Sequence, residues 1–155
     1  MLRKELTEIA KINLDGTKNS SVFKTENEVT SENIKFSYNN GVVSIVILDG
    51  SNLKYINGNN GKSFTIAENV TSFALGKAEA NYINDAAENA NEFANIVYYT
   101  RSATEDEAKS GNTGNVISSY NFIEKKENIL DFSNETYTIE ECKNGNLYYT
   151  KKSNG

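Results

Sequence analysis

The chain has 155 residues, 37% hydrophobic and 24% charged, with a formal net charge of −5 and an isoelectric point near 4.9. That length suits one domain around one core. The acidic balance argues against a basic face that neutralises phosphates, so no nucleic-acid partner is expected. Nine Tyr and seven Phe supply the aromatics that disordered chains lack. His, Pro and Trp are absent and Cys142 is the single cysteine. The commonest general base and metal ligand are therefore missing, as are an intrachain disulfide and a thiolate metal cluster. No metal or cofactor is expected. No apolar run approaches the roughly 20 residues of a membrane helix. The start, MLRKELTEIAK, is charged throughout and unlike a signal peptide.

Residues 1–13 read as a helix. Leu2, Leu6 and Ile9 fall at i, i+4 and i+7, and Arg3, Lys4, Glu5, Glu8 and Lys11 take the other side. Residues 13–32 are mostly turn formers, with a break at Asp15-Gly16 and a short edge strand or loop anchor around Val22 and Phe23. The stretch 33–75 reads as a continuous antiparallel meander, with β-formers between clusters of Asn, Gly, Asp and Ser. In it Ile34, Phe36 and Tyr38 alternate with polar residues, as on a half-buried strand. Val42–Leu48 is apolar on both faces, which predicts a central strand with a helix covering one side. Short strands follow around Leu53–Ile56, Phe64–Ile66 and Val70–Leu75.

Residues 76–92 are ambiguous between helix and turns, with Asp85–Glu92 the best helical window. Phe93–Arg101 reads as a strand, and 104–115 as an exposed acidic and then Gly-rich loop. Three weaker strands are expected at Val116–Ile123, Thr136–Ile139 and Asn146–Lys151, with Ile129, Leu130 and Phe132 as an apolar patch between the first two. Together these elements predict an α+β domain spanning 1–155, with an N-terminal helix, a central meander at 33–75 and further strands at 93–151.

The chemistry on offer is thin. Glu105/Asp106/Glu107 and Glu140/Glu141 are paired acids, but acid–base work needs one carboxyl desolvated against the other. Consecutive acids in a polar loop read as a solvated face. Cys142 has no His to activate it. The Gly-rich turns at 49–52 and 57–61 do not open helices, so they are not phosphate cradles. Lys, Asn and acidic residues on neighbouring strands supply the residue types of an intramolecular isopeptide bond, without showing a dry site for it.

The run FSYNNGVVSIVILDGSNLKYINGNNGKSFTIAENVTSF resembles the head domain of minor pilins and pseudopilins of type IV pili and type II secretion systems. Ser51-Asn52-Leu53-Lys54-Tyr55, Ala67-Glu68-Asn69-Val70-Thr71-Ser72-Phe73 and Ala94–Ser102 follow in the family's order. The hydrophobic N-terminal half of the spine helix and the C-terminal Cys pair are not in this sequence. The resemblance implies a pilin-like α+β fold, with 1–13 as the C-terminal half of the spine helix. Leu2, Leu6 and Ile9 would dock on Val43, Ile45 and Ile47. It also implies a non-enzymatic filament subunit at the cell surface, partnered by other pilin subunits and anchored through the missing apolar helix. Gram-positive members tolerate the lone cysteine. Lys77, Asn84, Asp85, Glu105, Asp106 and Glu107 would then lie on partner-facing loops. The residues alone leave a different class open: a stand-alone extracellular β-rich binding or adhesin module.

Overall fold

The computed structural model describes residues 7–39, 41–76, 95–143 and 145–153. Strands take up most of them, in four antiparallel sheets. Strands β1 (Thr7–Lys11) and β2 (Ser20–Thr25) form an antiparallel ribbon. Strands β3 (Ile34–Asn39), β4 (Val42–Asp49), β5 (Asn52–Asn57) and β6 (Ser63–Ala67) form a four-stranded meander in that order. Strands β7 (Val70–Leu75), β8 (Ile96–Ser102), β9 (Asn115–Asn121) and β10 (Lys126–Ser133) form a second four-stranded antiparallel sheet. A short helix, α1 (Glu105–Lys109), lies between β8 and β9. Strands β11 (Thr136–Lys143) and β12 (Asn146–Lys152) close the chain as a second ribbon.

The core lies between the two larger sheets. Val46, Leu48, Leu53 and Tyr55 of the first meet Val70, Phe73, Leu75, Val97 and Tyr99 of the second, with Phe122 from the turn after β9. Tyr55 stacks on Phe122 with ring centroids 4.9 Å apart, and Phe64 tilts against Tyr55 at 5.1 Å. Apolar surface removed from water at roughly 25 cal/mol per Å² makes this seam the main source of stability.

β4 is buried on both faces, as its sequence demands. Its second cover is the β1–β2 ribbon, not a helix. Ile45, Ile47 and Ile56 are buried there against Ile9, Val22, Phe23, Val29, Ile34 and Val43. This overturns the α+β, pilin-like expectation: Thr7–Lys11, placed in a spine helix, is a strand in register with β2, with Ile9 opposite Phe23. The physical reason is length. A helix of about a dozen residues gains little alone, whereas pairing with β2 bonds the same backbone and turns Ile9 onto the sheet. Lys11 adds a tether, its Nζ donating to the Gly58 and Asn59 carbonyls at 3.2 and 2.9 Å.

The meander also ends sooner than its sequence suggests. After β6 the chain leaves the first sheet at Glu68-Asn69 and enters the second. Asn69 takes a left-handed conformation (φ 57°), which Asn tolerates better than most residues. The corner is fixed because Val70 N donates to Ser51 O at 2.9 Å and Ser102 N donates to Asn69 O at 3.2 Å. On β3 the expected orientation is only half realised. Ile34 packs under the ribbon, but Phe36 and Tyr38 on the same side stay about half exposed, while Ser37 is buried. β3 is an edge strand, and the ribbon covers it only in part.

Candidate functional site

The docking residues named from the sequence divide in two. Ile9, Val43, Ile45 and Ile47 do come together, strand on strand, in the ribbon–sheet layer. Leu2 and Leu6 lie outside the described residues, as do Lys77, Asn84 and Asp85. Of the acidic run, Glu105 and Asp106 are exposed on α1. Glu107 turns inward and is the exception.

Glu107 belongs to a charged centre at the end of the core. The Thr104-Glu105-Asp106-Glu107 sequence forms a capping box: Glu107 N donates to Thr104 Oγ1 and Thr104 N to Glu107 Oε1. That signature is legible in the sequence and marks a helix start where a loop was expected. The Glu107 carboxylate then accepts two bonds from Arg101, at 2.7 and 3.2 Å. Arg101 Nε also donates to Glu127 at 3.0 Å, and Ser118 Oγ donates to the same carboxylate at 2.6 Å. The Arg101 hydrogen bonds hold the Glu107 pKa down at about 2, against burial. Burial alone would lower the Arg101 pKa, but Glu107 and Glu127 outweigh it and keep the guanidinium charged. The Tyr99 hydroxyl is buried beside this group with no hydrogen-bond partner among the described residues. Burial, and then the Glu127 charge, push its pKa well above the ordinary value. The arginine bridges the two acids, which suits fastening α1 and β10 to β8.

A second polar centre ties the first ribbon down. Asp49, 3% exposed, accepts from Thr25 and Asn27 on one oxygen, at 2.6 and 2.7 Å, and from Lys54 on the other at 2.7 Å. Burial would raise its pKa, but the Lys54, Thr25 and Asn27 hydrogen bonds outweigh it and lower it. Lys54 and Asp49 are the kind of pair an isopeptide bond needs. A carboxylate stabilised by three donors is a poor acyl group, and the contact is an ion pair.

A shallow cleft of about 370 Å³ by the β1–β2 turn is lined by Lys11, Ile12, Asn13, Lys18, Asn19 and Ser20, all exposed. Among the described residues no cluster of His, Cys, Asp or Glu has a metal-binding arrangement.

The features left without a structural role are on the surface, and the β11–β12 ribbon carries the most developed one. Tyr137 and Ile139 of β11 are buried against the second sheet, where Ile139 N donates to Ser72 Oγ and the Tyr137 hydroxyl donates to Asp131. β12, paired on one side to β11, is almost wholly exposed. Tyr148 is 54% and Tyr149 40% exposed. Tyr149 is steadied edge-on by Tyr137 at 5.2 Å. Cys142 sits in the same ribbon, half-buried, its thiol pushed up to about 11 by burial and then by the Glu141 charge. Nothing in the residues singles out Tyr148 and Tyr149, since adjacent tyrosines in a strand are equally consistent with one core-facing ring.

No family model, curated protein or solved structure matches this chain.

Proposed function

We propose that this protein is a non-catalytic binding module that takes a protein ligand on the β11–β12 ribbon. The observation that carries this reading is the exposure of Tyr148 and Tyr149 on a strand whose partner, β11, is anchored by buried Tyr137 and Ile139. Tyrosine offers a large, stiff surface with a polar tip, at small entropic cost when it is covered. Held edge-on by Tyr137, the Tyr149 ring is already ordered, which favours binding, while Tyr148 lies on the opposite face of the strand. The two polar centres support the reading from the other side, because their charges are spent on fastening the scaffold.

The residues behind the resemblance to minor pilins bear on this choice. Leu53, Tyr55, Val70 and Phe73 are all buried between the sheets. They describe a core pattern and carry no information about a filament interface. Thr7–Lys11, paired as a strand, does not supply the spine segment on which filament assembly rests. The binding-module reading needs neither.

The test is site-specific photo-crosslinking in cells expressing the gene. A crosslinker at position 148 should capture a discrete protein, and one at Thr65, exposed on β6, should not. Tyr149→Ser should weaken capture while leaving the melting temperature within a few degrees. Equal capture from both positions, or none from 148, refutes the reading.

A further inference from the structure

Granting that reading, we infer that the ligand is an extended, acidic polypeptide segment that adds to the outer edge of β12 as a third strand. Among the described residues β12 pairs only with β11, so from Leu147 to Lys152 its other edge has no strand against it. Such an edge is a template for strand addition, in which main-chain bonds supply affinity and alternate side chains supply selection.

The charge along the edge indicates the occupant. Asn146–Lys152 reads NLYYTKK: two lysines and no acid, in a chain whose net charge is −5. The ribbon's acids, Glu140 and Glu141, lie on β11, away from the free edge. Glu140 accepts a hydrogen bond from Thr150 at 3.3 Å. Lys151 meets Glu135 at 3.6 Å with both side chains exposed, a screened contact that leaves the lysine able to pair elsewhere. Lysines on an edge also deter wrong partners. Here they sit at the C-terminal end, and Leu147, Tyr148, Tyr149 and Thr150 leave the middle of the strand open to pairing. A second copy of this chain would bring the same two lysines to the edge, and an acidic strand would neutralise them.

The other edges lack this combination: β6 carries no charge, β1 carries Glu8, and β2 has a single lysine, Lys24. β10 carries acids of its own in Glu127 and Asp131, and β7 is partly covered by β11 through Ser72 and Ile139. β3 offers Phe36 and Tyr38, with a single lysine, Lys35.

The test uses the whole chain, labelled for amide NMR and hydrogen exchange. The probe is a synthetic peptide alternating valine and glutamate, roughly strand length at eight residues, with a valine–lysine peptide as its counterpart. The glutamate peptide should shift and protect amides from Leu147 to Lys151, bind at least about fivefold more tightly than the lysine peptide, and weaken as salt is raised. Lys151→Glu with Lys152→Glu should reverse the preference between peptides without unfolding the chain. The inference is overturned by no binding, by protection at another edge, by equal affinity for both peptides, or by self-association through β12. Capture at position 148 with no protection of β12 amides would sink strand addition alone. Absence of capture would remove the binding reading beneath it.

Discussion

The charged centre makes a quantitative prediction. Glu107→Gln keeps the side chain's size and its acceptor for Thr104 N, but removes the charge that Arg101 grips with two bonds. The Arg101 side chain is 7% exposed and would be left with Glu127 as its only carboxylate among the described residues. The Glu107 pKa falls from the ordinary 4.5 to about 2. At about 1.4 kcal/mol per pKa unit this is worth roughly 3 kcal/mol as an upper limit. The Glu107 side chain retains 16% exposure, so solvent screening reduces the figure. A loss of about 2 kcal/mol is expected at neutral pH, or roughly 4–8 °C in melting temperature for a chain of this size. Because the folded pKa is depressed, the carboxylate's contribution is complete above pH 4.5 and disappears as the pH falls through about 2. The gap between wild type and variant should therefore close on acidification. Urea denaturation of both proteins at several pH values from neutral to about 2 measures this directly. Parallel curves, or no gap at neutral pH, would refute the account of Glu107 as a structural clamp.

Three further outcomes follow from single sites. Tyr99→Phe removes a buried hydroxyl with no hydrogen-bond partner among the described residues, so stability should hold or rise by up to about 1 kcal/mol; a loss of that size instead would mean that the hydroxyl bonds to neighbouring Glu127 or Ser118. Gly114 has φ 94°, and a Cβ there would lie 2.5 Å from the Ser133 carbonyl oxygen, so Gly114→Ala should cost about 2 kcal/mol or more, read as a lower urea midpoint. Cys142, with its thiol near pKa 11, should alkylate at neutral pH far more slowly than a free cysteine and regain ordinary reactivity in denaturant; fast labelling of the folded chain would contradict its half-buried placement.

The sequence by itself determined where strands run between Ile34 and Leu75. Asn-, Gly- and Asp-rich turns punctuate β-formers there, and turn chemistry is local. It also determined that Val42–Leu48 is covered on both faces, because a run apolar on both sides has no solvent-compatible face. The cover itself was decided by the tertiary structure. Ile9 suits a helical stripe and an alternating strand equally, and only β2 beside it, with Phe23 opposite and Ile45, Ile47 and Ile56 beneath, selects the second. The same limit applies to β10: Ile129, Leu130 and Phe132 look like an isolated patch until Glu127 is paired beside Arg101 and the segment is drawn against β9. Glu107 is a mixed case: the Thr104–Glu107 capping box that sets it apart from Glu105 and Asp106 is local and legible, but its grip on Arg101, six residues earlier, depends on how the chain turns from β8 into α1. Tyr148 and Tyr149 show the converse: strand formation follows from the residues, but exposure depends on whether another layer covers β12, and among the described residues none does.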